Sequence, residues 1–464
     1  MVDWIRHHKR SGLWAGMGIG KTSAALVALD WMKLLGDIDV RNPTLVMGPM
    51  RVARDTWPDE VRKWDQFKDL RIVPITGTPN ERLRKLKIVA DIYTISYELA
   101  PWLVSVYLAK WPFRQVIADE SDRLKGFREK SKHGTKLESE NAGRSGKRAH
   151  EVARIAHNLT DRWLNLTGTP APAGLKDLWG QTWYLDRGER LGRTFGAFKQ
   201  RWFRKKWDSE YGIEPMPHAD REIHSILRDI YLTVNPKDYF NLADPIYRKV
   251  EITLPARAAK MYAQARKEMY IGLEELRGQP GGINIVNAGV LAQKCLQLAN
   301  GAVYTERPQW IGVHDEKLEA LDSIVHEASG APIMVAYSFQ HDKARILKAF
   351  PQAVDISTPA GLADFKSGKR TIGVAHPKSM GHGIDGLQYV CNILVYFGHD
   401  WKTGERMQIL ERIGPMRQFQ AALERPVWVY DIVAKGTEDE NVMRVHHENM
   451  SVQDVLLDAM NRRR

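Results

Sequence analysis

A chain of 464 residues with 43% hydrophobic and 27% charged residues has the composition of an ordinary globular protein and about two to three times the length of a single domain, which excludes a disordered chain. Its two cysteines, Cys295 and Cys391, lie far apart and in no C-x-x-C spacing, which excludes a disulfide framework and a structural zinc site and points to a reducing cytoplasm. A formal charge of +12 favours a polyanionic partner, and no run approaches the ~18 uninterrupted apolar residues of a membrane span.

The start, Met1 to Arg10, is basic, and no apolar run follows it as a signal peptide requires, so a soluble cytoplasmic protein is expected. After the short apolar pair Leu13-Trp14 comes Ala15-Gly16-Met17-Gly18-Ile19-Gly20-Lys21-Thr22, and then the helix formers Ser23–Leu29. Strand, glycine-rich loop and helix in that order aim backbone N–H groups and a helix N-terminus at phosphate oxygens. Gly18, Ile19, Gly20, Lys21 and Thr22 are therefore assigned to ATP, with Lys21 on the β/γ-phosphates and the Thr22 hydroxyl on Mg²⁺. Ala15 stands where the pattern G-x-x-x-x-G-K-[ST] begins with glycine.

The apolar runs Thr44–Met47, Ile92–Ile95 and Gln115–Ala118 read as buried parallel strands, so the first part of the chain is α/β. Asp119 and Glu120 close the last of these runs, at the strand edge where such sheets bind ligands. Asp119 is expected to hold Mg²⁺ and Glu120 to orient and polarise the attacking water. From Arg123 to Arg154 basic residues outnumber acids and Gly and Ser recur, the composition of a mobile, phosphate-contacting loop.

From 175 to 309 strand signals thin out and helical periodicity predominates, as over Ala256–Arg277, which suggests a helical insertion and linker. Phe195, Phe198 and Trp202 repeat at helical spacing among basic residues and read as core anchors, with the charges toward solvent or phosphate. Strand-like runs return at Ile333–Ala336, Thr371–Val374, Asn392–Tyr396 and Val427–Tyr430. The expected organisation is thus an ATP-binding domain over 1–174, the insertion over 175–309 and a second α/β domain over 310–464.

The run Asp119-Glu120-Ser121-Asp122-Arg123-Leu124-Lys125 followed by Leu166-Thr167-Gly168-Thr169-Pro170 resembles superfamily-two helicases and, within them, the Swi/Snf-like DNA-dependent ATPases. The match is ordered along nearly the whole chain. Thr44–Met50, with Pro49 and the following Trp57 and Trp64, is similar to the segment that contacts the nucleic-acid backbone, and Tyr93–Glu98 to the next characteristic strand. Val335–Gln340 resembles the family's fourth motif, Met380–Leu387 with Gly381 and Gly383 its fifth, and Gln408–Gln418 its sixth.

The resemblance implies two RecA-like domains, ATP and Mg²⁺ as cofactors and DNA, duplex by preference, as partner; it names no protein partner and no membrane. It further implies that Thr167 and Thr169 couple hydrolysis to DNA movement and that Gln408 meets the nucleotide. Arg412 is implied as an arginine finger, with Arg417 as a second finger reaching from a displaced origin. This chain departs from its relatives by carrying Asp122 where they often have histidine, and Pro415 where Q-x-x-x-R-x-x-R places the second arginine. Relatives also place a glutamine-bearing adenine-recognition segment well upstream of the phosphate loop, where this sequence has only Met1 to Leu13, which leaves base specificity open. Compactness resembles the small forms carried by bacteriophages. A strand-separating helicase, a restriction-system motor and a non-catalytic nucleic-acid scaffold are the alternative readings.

Overall fold

The computed structural model describes residues 1–107, 110–128, 144–205, 213–273, 282–305, 309–380, 384–423 and 425–459. Two compact α/β units are present, one formed by Met1–Asn241 with the chain end from Asn449, the other by Leu242–Glu448.

The first unit is built on a seven-stranded, all-parallel sheet: β1 (Arg10–Ala15), β2 (Thr44–Gly48), β3 (Ile72–Pro74), β4 (Ile92–Ser96), β5 (Gln115–Asp119), β6 (Arg162–Thr167) and β7 (Tyr231–Val234). Their order across the sheet is β3-β4-β2-β5-β6-β1-β7. Every residue of β2, β4 and β5 is buried, as expected of parallel strands covered by helices on both faces. The order matters for chemistry, because it sets β5, β6 and β1 side by side and brings Asp119, Thr167 and Ala15 to one edge. β7 is tied in by the Tyr231 ring, which stacks on Trp14 with centroids 4.1 Å apart over the space left by Gly12.

The second unit carries a six-stranded parallel sheet: β8 (Ile246–Ile252), β9 (Ile333–Ala336), β10 (Ala353–Asp355), β11 (Ile372–Ala375), β12 (Ile393–Tyr396) and β13 (Trp428–Ala434), in the order β8-β13-β12-β9-β11-β10. Two parallel sheets flanked by helices make the fold class the expected one, a pair of RecA-like α/β units. A fully buried ion pair anchors its interior: Lys317 Nζ lies 2.7 Å from Asp439 and donates to Asn300 Oδ1 at 2.8 Å. Asn300 in turn donates to Asp342, which also accepts from the backbone of Ser338 and Phe339 and so positions the fourth-motif segment. Paired in this way, the charges are held in a place where an unpaired one would be costly.

Three features mark the 175–309 region. The units divide between Asn241 and Leu242, so 175–241 falls in the first and 242–309 in the second. The strand over Ile246–Ile252 has an exposed, charged pattern because it is the edge of its sheet; there Lys249 and Lys435 both pair with Glu251 at 2.7 Å. The helix expected over Ala256–Arg277 stops at Glu268, where Met269 adopts a left-handed conformation, φ 52°. Phe198 and Trp202 are buried core anchors, as expected. No helix among the described residues is long and apolar enough to cross a membrane.

Candidate ATP site and arginine motif

β1 ends at Ala15 and the helix Lys21–Leu34 begins six residues later. The turn between them needs glycine: Gly18 and Gly20 have φ of 79° and 84°, in the left-handed region that side chains disfavour. Gly20 caps the helix, so the first free N–H groups and the positive helix end point out of the loop. The Lys21 ammonium lies over this loop and donates to the carbonyls of Ala15 and Gly16 at 2.7 and 3.0 Å. Ile19 and Thr22 are half-buried beside it.

Gly168, in the loop after β6, closes on the same place. A Cβ there would stand 2.7 Å from Met17 Cγ and 3.3 Å from Lys21 Nζ, so the Thr167–Pro170 loop lies directly against the phosphate loop. Thr167 and Thr169 are buried, and the Thr167 hydroxyl accepts from the Thr169 N–H at 3.0 Å.

Asp119 is buried at the end of β5. Its Oδ2 accepts from the Trp57 indole at 2.8 Å and its Oδ1 from the Glu120 N–H at 3.0 Å. Burial raises its pKa, opposed by the Trp57 hydrogen bond and the Lys21 charge. Glu120 follows with φ 56°, a left-handed conformation rare for a residue with a long side chain. Such strain persists where surrounding structure enforces it and is concentrated at functional sites. Burial, then the charges of Asp122 and Asp119, push Glu120 up to about 8, against the pull of Lys21 and Arg123. Asp122 is pushed up to about 6, first by burial, with Lys125 and Arg123 pulling it down.

Three carboxyls crowded in this way repel one another and attract cations. A hydroxyl at Thr22 and a carboxylate at Asp119 are hard oxygen donors of the kind Mg²⁺ takes. Among the described residues no group of three or more His, Cys, Asp or Glu forms a metal cage.

Sequence reading did not foresee the role of Trp57. It was expected in a segment touching nucleic acid, yet its ring is fully buried and serves Asp119. The segment that delivers it runs from buried Pro49, whose carbonyl accepts from Ala53 N at 2.9 Å, through the wide helical turn Val52–Thr56. Trp64, 48% exposed, remains at the surface.

In the second unit the helix Thr403–Leu410 carries Gln408, which is buried. Gly414 and Pro415 end this region and start a second helix, Pro415–Gln420, as a Gly-Pro pair should. Arg412 is half-buried and donates to the Ile384 carbonyl at 3.4 Å. Arg417 lies on the new helix, with Nη1 3.4 Å from an Asp385 carboxylate oxygen. Gly381 and Gly383 lie outside the described residues, as does 129–143 of the basic segment. In the described part of that segment, which includes the helix Arg144–Ala156, Arg148 pairs with Glu98 at 2.7 Å, and Arg128 stacks over the Phe195 ring at 3.6 Å.

The SNF2-related domain family matches residues 1–298. Protein p41 of Acyrthosiphon pisum secondary endosymbiont phage 1 is 43% identical over all of this chain and 97% of its own length. An uncharacterized ATP-dependent helicase of Mycoplasma pneumoniae is 22% identical over 99% of this chain, and the chain spans 42% of that protein. The chromatin structure-remodeling complex protein SYD of Arabidopsis thaliana is 22% identical over 65% of this chain and 8% of its own. Among solved structures, the SWI2/SNF2 ATPase core of Sulfolobus solfataricus in complex with dsDNA is 19% identical, covering 99% of this chain and 92% of that one, with a TM-score of 0.42.

Proposed function

The chain belongs to the SNF2-related, Swi/Snf-like family, and from that premise we propose that it is a DNA-stimulated ATPase that translocates on duplex DNA. The observation that carries the reading is the meeting of Lys21, Asp119, Glu120 and the Thr167–Pro170 loop at one edge of one sheet. Lys21 would move from the loop carbonyls to the β/γ-phosphates and keep its positive charge where negative charge accumulates. Thr22 and Asp119 would hold Mg²⁺, which supplies charge neutralisation on the phosphates. Glu120, whose affinity for a proton is raised close to neutrality, would orient the attacking water and take its proton. Arg412 would supply a further cation to the transition state, and Arg417 a second.

The family and the excess of 68 Lys and Arg over 56 Asp and Glu both support DNA as the partner. An intact Lys21 and Glu120 argue against a scaffold without catalysis. Phosphate release measured with single-stranded DNA, duplex DNA, forked DNA and RNA tests the reading. Duplex DNA should stimulate most, and a triplex-displacement assay should report movement while a strand-displacement assay stays silent. Equal rates with every nucleic acid and with none would overturn it.

A further inference from the structure

The helix Leu178–Asp186 is buried along almost its whole length and touches both the acidic loop after β5 and the loop after β6. Gly180 makes the contact possible: a Cβ there would stand 2.5 Å from the Lys125 carbonyl oxygen and 2.8 Å from its carbon. These are backbone atoms of the acidic loop and cannot swing aside. Next to this contact, Gln181 is fully buried and uses both ends of its amide. Its Oε1 accepts from the Ser121 hydroxyl at 3.1 Å, and its Nε2 donates to the Pro170 carbonyl at 2.5 Å and to the Asp177 carbonyl at 3.3 Å. Asp177 repeats the pattern: one carboxylate oxygen accepts from Lys125 Nζ at 3.1 Å and from the Ala173 N–H at 2.8 Å.

We propose that Gln181, with Gly180 and Asp177, is the positioning device that ties the Thr167–Pro170 loop to the acidic loop, so that DNA-driven displacement of the first is delivered to Glu120 through Ser121. The inference rests on the ATPase reading above. Ser121 directly follows Glu120, whose left-handed backbone leaves it little freedom to move alone. A displacement of Pro170 pulls on Nε2, and the amide, rigid and planar, passes it to Ser121 at its other end. Both hydrogen bonds are buried, where a broken one is costly to leave unmade, so the two loops move as one. Neither Gln181 nor Asp177 needs to touch nucleotide or DNA. Helix Leu178–Asp186 is thus the part that converts occupancy of one loop into geometry at the other.

The test is Gln181→Leu, close in volume and without polar ends, beside Ser121→Ala, which removes only the hydroxyl that Oε1 accepts. In Gln181→Leu the DNA-stimulated turnover should fall tenfold or more, while the basal rate and the KM for ATP change by less than about threefold. Ser121→Ala should lose stimulation in the same selective way, and it carries the test if Gln181→Leu does not fold. Equal losses of basal and stimulated rates, or no loss in either variant, would overturn the proposal. A double-mutant cycle on urea unfolding of the same full chains reads the bridge without activity. Non-additive midpoints support it, and additive ones overturn it even if the wild type proves not to hydrolyse ATP, a result that would end the motor reading separately.

Discussion

The Trp57 indole donates a 2.8 Å hydrogen bond to Oδ2 of Asp119, across 62 residues of sequence. One oxygen of the carboxylate is thereby fixed by a rigid ring that is itself fully buried, and the other by the Glu120 N–H. Partners of this kind set the orientation of a metal-binding carboxylate, and their loss commonly costs about 10–100-fold in metal affinity or activity. Trp57→Phe keeps most of the packing and removes the donor. It should raise the Mg²⁺ concentration for half-maximal hydrolysis by that factor, with a smaller effect on turnover at saturating Mg²⁺. A Mg²⁺ titration of ATPase rate decides, and an unchanged midpoint would remove Asp119 from the metal site.

Lys21→Ala and Glu120→Gln should separate binding from chemistry. The first takes away a charge on the transferring phosphate and should abolish turnover while also weakening ATP. The second preserves shape and hydrogen bonding but not proton acceptance. It should bind a fluorescent ATP analogue normally and hydrolyse about a hundred- to ten-thousandfold more slowly. Near-parental turnover in Glu120→Gln would show that another group activates the water.

The raised pKa of Glu120 also has a stability consequence. A glutamate ordinarily near 4.3 that is pushed up to about 8 in the folded chain binds its proton more tightly when folded than when unfolded. Its contribution is complete below the unfolded value and is lost as pH rises through about 8, where folding must keep a crowded carboxylate ionised. Glu120→Gln removes that penalty. In the nucleotide-free protein the variant should melt above the parent at pH 9, with the gap closing toward pH 5. Each kcal/mol corresponds to roughly 2–4 °C for a unit of this size. Calorimetry across that range checks it; a gap that does not widen with pH would place Glu120 among ordinary carboxylates.

The parts of the site that can be read in the sequence are those whose chemistry is local. Gly18, Gly20 and Lys21 lie within four residues because one turn must make them converge, and Asp119-Glu120 are marked by the apolar strand they terminate. Trp57, Gln181 and Asp177 leave no such mark. They act through partners at separations of 62, 60 and 52 residues, and a buried tryptophan or glutamine looks the same in sequence whether or not it serves a catalytic loop. The strand Ile246–Ile252 was hidden for a related reason. At a sheet edge its side chains meet solvent, so Arg248, Lys249 and Glu251 mask the apolar alternation. The central strands, buried on both faces, are plain in the sequence.

The two arginines of the sixth-motif segment should be unequal. Arg412 precedes the Gly414-Pro415 break and is half-buried, with its guanidinium held at the Ile384 carbonyl. Arg417 follows the break on a new helix and faces Asp385, a pair in which the carboxylate is 69% exposed. An ion pair so open to water is worth little, about 0–1 kcal/mol, and leaves Arg417 available to a stronger anion. A finger acts on charge that develops in the transition state, so its loss should cost on the order of a thousandfold in turnover with far less effect on nucleotide affinity. Arg412→Ala should show that loss under saturating ATP and DNA. If Arg417 is the second finger, Arg417→Ala should show it too, whereas Asp385→Asn should leave turnover intact or raise it by freeing the guanidinium. Full activity in Arg417→Ala would restrict Arg417 to the surface pair with Asp385 and leave Arg412 as the only finger in this segment. Full activity in Arg412→Ala would remove the finger role from the residue that aligns most directly with the family pattern.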